Sequence, residues 1–256
     1  MGWSTINIGS AAIVRRLLLV LVVAGCVVLV ARRLSKPTAV VHSSAGISDV
    51  RRDTSSGSAR RKVLPVSGAF EGCPADGDGG DRGLNRLKNR IDSATWLPTP
   101  FASVLGFAWP RDVVRRMRGE WSWRDSIAVA HQEGLPVVVE GYFVASKQEG
   151  PEATNCHGAE TRFRDWHLWL SEKPGKDRRR SIVVETTPVI RARHPEWSLS
   201  GVRRLVRDST LVRVSGWLML DPEHPEQLGK TRGTLWEIHP VMRIEVQRDG
   251  QWLPLQ

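Results

Sequence analysis

Beyond Pro136 the chain alternates apolar and polar residues and is rich in β-branched side chains, a pattern that restricts the fold strongly. Alternation with period two predicts strands with one buried face. The predicted elements, in chain order, are strands at Val137–Ala145, Phe163–Leu170 and Ser181–Thr186, a helix within Pro195–Arg207, and strands at Thr210–Leu220 and Leu235–Val246. Gly141 is expected to mark a bulge or bend in the first strand. Pro240 can interrupt the last one. This part of the chain is therefore predicted to be mainly β.

The order of three strands, one helix and two strands resembles that of the OB-fold, a five-stranded Greek-key barrel with a helix between strands three and four. We therefore predict an OB-like β-barrel over residues 135–256. The segment WEIHP at Trp236–Pro240 is also similar to a segment near the end of uncharacterised bacterial membrane-anchored proteins. That resemblance covers Val137–Val246 and implies no activity.

Near the amino terminus, Leu17–Ala31 is an apolar block without a charge, preceded and followed by arginines. A spanning helix needs about 20 apolar residues, which the block approaches if it extends to residue 34 and the flanking arginines reach the headgroups. We predict a single membrane helix within residues 1–34, contacting the membrane through residues 17–34. Two alternatives stay open: a cleaved secretory signal, and a lipoprotein signal in which Val23–Cys26 resembles a lipobox and Cys26 is lipidated.

The side of the membrane on which the remaining chain lies is a separate question. The lysines and arginines around the apolar block slightly favour a cytoplasmic carboxyl-terminal part. Short amino-terminal anchors with long soluble tails, however, are often export signals, and we expect the soluble domain on the outer face. An exported domain would allow a single disulfide between Cys73 and Cys156.

Residues 35–83 are rich in Ser, Gly, Ala, Arg and Asp, and their small apolar surface predicts a flexible linker. A helical lead-in is expected over residues 84–134. Its helices are predicted near Leu84–Ile91, over Arg111–Arg118 and over Trp123–Glu133, where Ser122 would cap the last one.

Two short acid-and-histidine pairs lie on predicted strands. Side chains two residues apart share one face of a strand. Asp165 and His167 therefore lie opposite Trp166 and Leu168, and Glu185 lies on the polar face of the third strand. Glu237 and His239 repeat the same spacing on the last strand.

Carboxylate and imidazole groups are common ligands of divalent metals. Asp165, His167, Glu237 and His239 are therefore the candidate ligands of a divalent metal, and the same groups could serve a metal-dependent hydrolase. The competing interpretation is a structural hydrogen-bond network joining these four side chains, because the outer face of a small barrel is polar in any case.

The formal net charge of +10 and the pI near 10.3 suit an anionic partner. An OB-like barrel can bind single-stranded nucleic acid by stacking bases on aromatic side chains beside basic residues. Indoles are supplied by Trp121, Trp123, Trp166, Trp169, Trp197, Trp217 and Trp236, and the candidate polyanion-binding residues are Arg178, Arg179, Arg180, Arg203 and Arg204. Anionic lipid is an alternative target of the arginines, and an arginine-rich composition without a binding role is another.

Together these features predict a membrane-anchored binding module built on an OB-like barrel, with an unknown ligand. The alternatives are a metal-dependent hydrolase and a binder of single-stranded nucleic acid or another polyanion. Fold alone does not decide among them.

Overall fold

The structure is a computed structural model that describes residues 65–256. The helices in this range are α1 (Arg82–Lys88), α2 (Phe101–Gly106), α3 (Trp123–Ala130), α4 (Pro188–Arg191) and α5 (Leu199–Arg207). The strands are β1 (Leu97–Pro98), β2 (Pro136–Gln148), β3 (Trp166–Ser171), β4 (Ile182–Thr186), β5 (Leu211–Leu220), β6 (Trp236–Arg248) and β7 (Gln251–Pro254). Short 3-10 turns lie at Arg111–Val113, Arg118–Glu120, Ala153–Asn155, Thr161–Phe163 and Pro225–Gln227.

Five of these strands close into a barrel. β2 pairs antiparallel with β3, and β3 with β4. β4 then pairs in parallel with β6, which pairs antiparallel with β5, and β5 returns to β2. α5 lies between β4 and β5 in the chain. The predicted order of three strands, a helix and two strands is confirmed, and the barrel is OB-like.

The barrel interior is filled by the apolar face of each strand. Leu168 on β3, Val184 on β4 and Ile238 on β6 are fully buried within one large core. Trp166 and Trp236 belong to the same core, as alternation on their strands predicts. Hydrophobic burial of this face is the main stabilising term for the barrel.

β6 runs through Pro240 without a break, across a cis His239–Pro240 peptide bond. Its pairing with β5 shifts register around Gly216, which accommodates the missing N–H of the proline. A Cβ atom on Gly216 would lie 2.4 Å from the Pro240 carbonyl oxygen, so only glycine fits this approach.

The expected bulge in β2 lies beyond Gly141, where the register with β3 shifts between Phe143 and Ala145. Gly141 has a different reason to be glycine. A Cβ atom there would lie 2.6 Å from the Ser171 carbonyl oxygen at the end of β3. Gly141 therefore allows close approach of two backbones, the other common role of glycine in a strand.

The helix predicted over Arg111–Arg118 is wrong. Two 3-10 turns replace it, and Arg115 between them has a positive φ of 58°. The Arg115 N–H donates instead to the Pro222 carbonyl at 2.7 Å, so a tertiary contact replaces the helical hydrogen bond. α3, by contrast, begins as predicted, because the Ser122 hydroxyl accepts from the Asp125 N–H.

Residues 65–83 fall in the range whose composition predicts a flexible linker, yet they pack against the barrel. Cys73 is buried and forms a disulfide with Cys156. Asp76 is also buried, and it accepts hydrogen bonds from Arg82. A cross-link and buried polar contacts, neither of which composition reveals, order this part of the range.

The predicted membrane segment and Cys26 lie outside the described residues. Within residues 65–256 no helix is long and apolar enough to cross a membrane.

Candidate functional site

The outer faces of β3, β4 and β6 carry a dense group of ionisable side chains. His167 lies opposite Glu185 in the pairing of β3 with β4. Glu237 and His239 follow on the neighbouring strand β6, and Glu237 pairs in register with Val183. Strand alternation therefore places these four groups on the face opposite the barrel core, yet all four are buried.

A cover formed by residues 73–89 and 149–157 accounts for that burial. The Asn85 amide oxygen accepts from the Thr154 hydroxyl at 2.8 Å, and the Asn89 amide donates to the Thr154 carbonyl at 3.2 Å. The Cys73–Cys156 disulfide joins the same two segments. Asp81 caps the amino-terminal end of α1, because its carboxylate accepts from the Leu84 N–H. The cover removes an otherwise solvated face of the barrel from water.

His167 forms the closest ion pair in the group. Its Nδ1 lies 2.5 Å from Glu185 Oε1 and 3.3 Å from Glu149 Oε1. Burial alone would lower the pKa of His167, but these two carboxylates raise its pKa to about 9. The other ring nitrogen, Nε2, is buried and finds no hydrogen-bond partner within the described part of the chain.

His239 is enclosed by carboxylates without forming a hydrogen bond to any of them. Its Nδ1 lies 3.4 Å from Glu185 Oε2 and 3.6 Å from Glu237 Oε2, while its Nε2 lies 3.7 Å from Asp165 Oδ2. Within residues 65–256 neither ring nitrogen has a partner in hydrogen-bond geometry. Buried polar atoms are almost always paired, so such an exception needs an explanation.

Asp165 is fully buried and only half satisfied. Its Oδ1 accepts a hydrogen bond from the Asn155 amide at 2.8 Å, whereas Oδ2 lacks a hydrogen-bond partner in the described range. Burial, together with the nearby carboxylate of Glu152, raises the pKa of Asp165 above its ordinary value.

Arg232 organises the opposite side of the group. Its Nη1 lies 2.7 Å from Asp221 Oδ2 and 2.8 Å from Glu237 Oε1. His224 Nδ1 lies 2.7 Å from the same Asp221 oxygen. Burial would raise the pKa of Asp221, but His224 and Arg232 lower it strongly. Asp221 and Glu237 therefore share one fixed cation, Arg232.

Lys88, at the last position of α1, brings a further positive charge to the group. Its Nζ lies 3.6 Å from Glu152 Oε2. Burial disfavours the charged amine, but the carboxylates of Glu152 and Glu185 outweigh it and raise the pKa of Lys88. Burial would likewise raise the pKa of Glu185, but His167 lowers it well below its usual range.

A cavity of about 370 Å³ opens beside these side chains. Most of its walls are polar or charged, and they come from α1, the end of β2, β3, β4, β6 and the chain between β5 and β6. The ionisable side chains that line it are Asp81, Lys88, Lys147, Glu149, Glu152, His167, Glu185, Asp221, Glu223, His224, Arg232 and Glu237.

Three sets of side chains in this region could hold a metal ion, since one ligand atom of each member lies within 4.8 Å of the others. The sets are Glu149 with His167 and Glu185, Asp165 with Glu185 and His239, and Asp221 with Glu223 and His224. Glu185 belongs to the first two sets.

The structure brings together all four metal candidates of the sequence, Asp165, His167, Glu237 and His239, but Glu185 is the side chain that joins them. Glu237 is a weaker candidate for a metal ligand than the sequence predicts, because Arg232 already pairs with its carboxylate. Glu149, Lys88 and Arg232 are additions that the sequence pattern does not single out. Strand alternation does not predict which strands are neighbours in the barrel, nor that the cover lies over its outer face.

The arginine candidates are distributed over two elements. Arg178, Arg179 and Arg180 belong to the turn between β3 and β4, and Arg203 and Arg204 lie on the exposed face of α5. The Arg178 guanidinium lies 4.7 Å from the centre of the Trp169 ring, and Arg179 pairs with Asp177.

The aromatic candidates are mostly inaccessible to a nucleic acid. Those that are buried are Trp166, Trp169, Trp197, Trp217 and Trp236. Trp123 is 80% exposed but lies on α3, outside the barrel strands. Base stacking needs exposed rings beside basic residues, so this geometry gives little support to single-strand binding.

No family model matches this chain, and no curated protein matches it. Among solved structures, one assigned as an aspartyl-tRNA synthetase from Leishmania major Friedlin is similar over 63% of this chain, with 10% sequence identity and a TM-score of 0.29. The similar region spans 23% of the length of that synthetase. A likeness this weak carries no argument about function.

Proposed function

We propose that the described domain is a binding module whose ligand is a divalent metal ion, held by Asp165, Glu185 and His239. The observation that carries this proposal is the set of buried atoms without hydrogen-bond partners in residues 65–256, namely Asp165 Oδ2 and both ring nitrogens of His239. Leaving a buried polar group unpaired costs about 1–3 kcal/mol. A metal ion bound by Asp165 Oδ2 and one ring nitrogen of His239 would satisfy two of these three atoms.

The separations between these atoms support a metal better than a hydrogen-bond network. Direct hydrogen bonds need about 2.7–3.2 Å, and the contacts of His239 with Glu185 and Asp165 are 3.4 and 3.7 Å. Nitrogen and oxygen ligands bind zinc at about 2.0–2.2 Å, which places neighbouring ligands of a tetrahedral site about 3.4 Å apart. These two distances start from different ring nitrogens of His239, and one ion can bind only one of them. The spacing that supports a ligand set is that one ligand atom of each residue lies within 4.8 Å of the others.

Electrostatics favours a cation for the same reason. Asp165, Glu185 and Glu237 are buried carboxyl groups on or beside neighbouring strands. His167 pairs with Glu185 and Arg232 pairs with Glu237, whereas Asp165 has no such close cation in the described range. Isolated buried charges are strongly unfavourable unless they are paired or coordinate a metal. A divalent ion between Asp165 and Glu185 would stabilise the charged form of both.

Metal titration of the full-length chain tests this proposal. After removal of bound metal with a chelator, we expect Zn²⁺ or Mn²⁺ to bind and to raise the melting temperature. Asp165→Asn should weaken binding by at least about tenfold, since even residues that only support a metal ligand contribute about 10–100-fold. Asp177→Asn, in the exposed turn after β3, is the matched control. A chain that binds neither ion would overturn the proposal in favour of a purely structural network.

Metal-dependent hydrolysis is the second candidate function. The cavity of about 370 Å³ favours it, because His167 and Glu149 line that space beside the proposed metal. A metal-activated water and a nearby imidazole can together hydrolyse an ester. Metal-loaded protein should then hydrolyse p-nitrophenyl acetate or p-nitrophenyl phosphate, and His167→Ala should abolish turnover. Equal rates of hydrolysis by the wild type and by His167→Ala would exclude the hydrolase, and the proposed function would then be metal binding alone.

We also propose that the domain is anchored through residues 17–34 and lies on the outer face of the membrane. The disulfide between Cys73 and Cys156 supports an oxidising compartment. External protease should therefore degrade the domain in intact cells without permeabilisation. Protection in intact cells followed by cleavage after lysis would instead place the domain inside.

A further inference from the structure

We infer that the site holds two divalent ions bridged by Glu185, the second ion being bound by Glu149 and His167. This inference rests on the proposed metal-binding function and adds a second site to it. The three side chains of the second set offer ligand atoms within 4.8 Å of one another. Two-metal sites with ions about 3.5–4 Å apart are a recurring arrangement in enzymes.

Glu185 has the geometry of a bridging carboxylate. One of its oxygens, Oε1, lies 2.5 Å from His167 Nδ1, and the other, Oε2, lies 3.4 Å from His239 Nδ1. The two histidines come from β3 and β6, which flank β4 on either side. A single carboxylate therefore contacts both imidazoles, one through each oxygen.

The second ligand set faces the cavity and is itself incompletely satisfied. Glu149 Oε1 lies 3.3 Å from His167 Nδ1, a separation suited to two ligands of one ion. His167 is 6% exposed, lines the cavity, and has a buried Nε2 without a partner in the described range. Nε2 lies on the side of the ring opposite Nδ1, the atom that faces Glu149 and Glu185, so an ion at this set would replace the proton that Nδ1 shares with Glu185.

Carboxyl groups outnumber cations around the site, which favours the binding of positive ions. Six carboxyl groups surround it, those of Glu149, Glu152, Asp165, Glu185, Asp221 and Glu237. The cations among them are Lys88, Arg232 and the protonated His167, which are fewer than the carboxyl groups. The exposed residues at the rim, Lys147 and Glu223, carry one charge of each sign.

The third possible set, at Asp221, Glu223 and His224, is a poorer choice for the second ion. Asp221 Oδ2 is already 2.7 Å from both Arg232 Nη1 and His224 Nδ1, and Oδ1 accepts from the Glu223 N–H. A metal there would have to displace Arg232. An ion bound by Glu149 and His167 would displace no arginine.

The stoichiometry of Mn²⁺ on the metal-free full-length chain tests the inference. We expect two ions per chain at saturation, with an exchange-coupled electron paramagnetic resonance spectrum in place of the six-line signal of isolated Mn²⁺. One ion per chain would overturn the second site while leaving the proposed function intact. No bound ion would overturn both.

Variants locate the two ions. His167→Ala should reduce the stoichiometry from two to one and restore the six-line signal, whereas His131→Ala, on an exposed residue after α3, should retain two coupled ions. Glu185→Gln should remove the coupling. If His224→Ala instead lost one ion, or if His167→Ala kept both, the bridged arrangement would be wrong. Circular dichroism of each variant would show that it is folded, and His167→Ala decides the question should Glu185→Gln fail to fold.

Discussion

The two faces of β3, β4 and β6 are both buried, but for different physical reasons. The inner face carries Leu168, Val184 and Ile238, each 0% exposed within the barrel core. The outer face carries ionisable groups such as Glu185 and His239, which are 7% and 1% exposed. Closure of the barrel buries the first set. The cover formed by residues 73–89 and 149–157 buries the second.

The two faces therefore contribute differently to the stability of the fold. Burial of the inner face stabilises the fold in proportion to its apolar area. Burial of ionisable groups opposes folding unless each charge is paired, and buried ion pairs often contribute little net stability. The unpartnered atoms of Asp165 and His239 are therefore a stability defect of the metal-free protein. A bound cation would convert that defect into affinity.

Removing the disulfide should have the largest effect, because it loosens the cover and leaves the barrel core in place. Cys73 and Cys156 are separated by 83 residues, and closing a loop of that size stabilises the folded chain by about 4 kcal/mol. We expect the double Cys→Ser variant to lose about that free energy of unfolding in urea and to bind metal more weakly.

Cys26→Ser is the matched control, since Cys26 lies outside both segments of the cover. It should leave the urea midpoint unchanged. Should the double variant keep the metal affinity of the wild type, the cover would not be what shapes the outer face, and the contrast between the two faces would need another explanation.

Ile238→Ala should have the next largest effect and should act on the inner face alone. Ile238 is fully buried in the barrel core, and truncation of such a side chain costs about 2–5 kcal/mol. The folded variant should bind the same number of Mn²⁺ ions as the wild type, because the neighbouring Glu237 and His239 point the other way. A fall in stoichiometry at saturating metal would show that the two faces are not independent.

The inner face could be predicted from the sequence, whereas the outer site could be predicted only in part. Alternation in DWHLWL and WEIHP places Leu168 and Ile238 inward and His167 and His239 outward, as the structure has them. The same pattern contains no information on which strands are neighbours. That Glu185 lies between the two histidines follows from the pairing of β4 with β3 and β6.

The cover was beyond sequence reasoning for a related physical reason. Residues 65–83 have the polar composition of a linker, but the Cys73–Cys156 disulfide and a hydrogen bond from the Asp78 N–H to the Ala153 carbonyl hold them against residues 149–157. These are contacts between residues far apart in the chain. Lys88 reaches the site from the cover, whereas Glu149 directly follows β2 and is placed by the pairing of β2 with β3, where its N–H donates to the Asp165 carbonyl. A local pattern could therefore supply half of the ionisable groups and none of the reason for their burial.

The effect of Glu185→Gln on the unfolding free energy should depend on whether metal is present, which distinguishes the outer face from the inner face. In chelator, the variant loses the buried ion pair between Glu185 and His167, so its unfolding free energy should already be lower than that of the wild type. With metal at 100 times its Kd, the wild type gains about 2.7 kcal/mol from binding, and the variant should lose most of that gain. Thermal unfolding with and without Zn²⁺ measures both quantities. A variant stabilised by Zn²⁺ as strongly as the wild type would argue against Glu185 as a ligand.

Lys88→Gln should produce the smallest effect, with the opposite sign for binding. The positive charge of Lys88 lies close enough to Glu185 and Asp165 to stabilise both carboxylates. A divalent ion competes with it for the same charges. Two unit charges 4 Å apart interact by about 1 kcal/mol in water and by about 4 kcal/mol at an effective dielectric of about 20, so the Kd for Mn²⁺ should fall at least several-fold.

The exposed Lys147 provides the control for that change, because it pairs with Glu149 at the rim of the cavity. Its replacement by glutamine should alter the Kd less, since water screens an exposed charge. Weaker Mn²⁺ binding by Lys88→Gln would mean that the lysine holds the cover in place rather than competing with the ion. The sign of the change in Kd thus distinguishes a site poised for a cation from one already completed by Lys88.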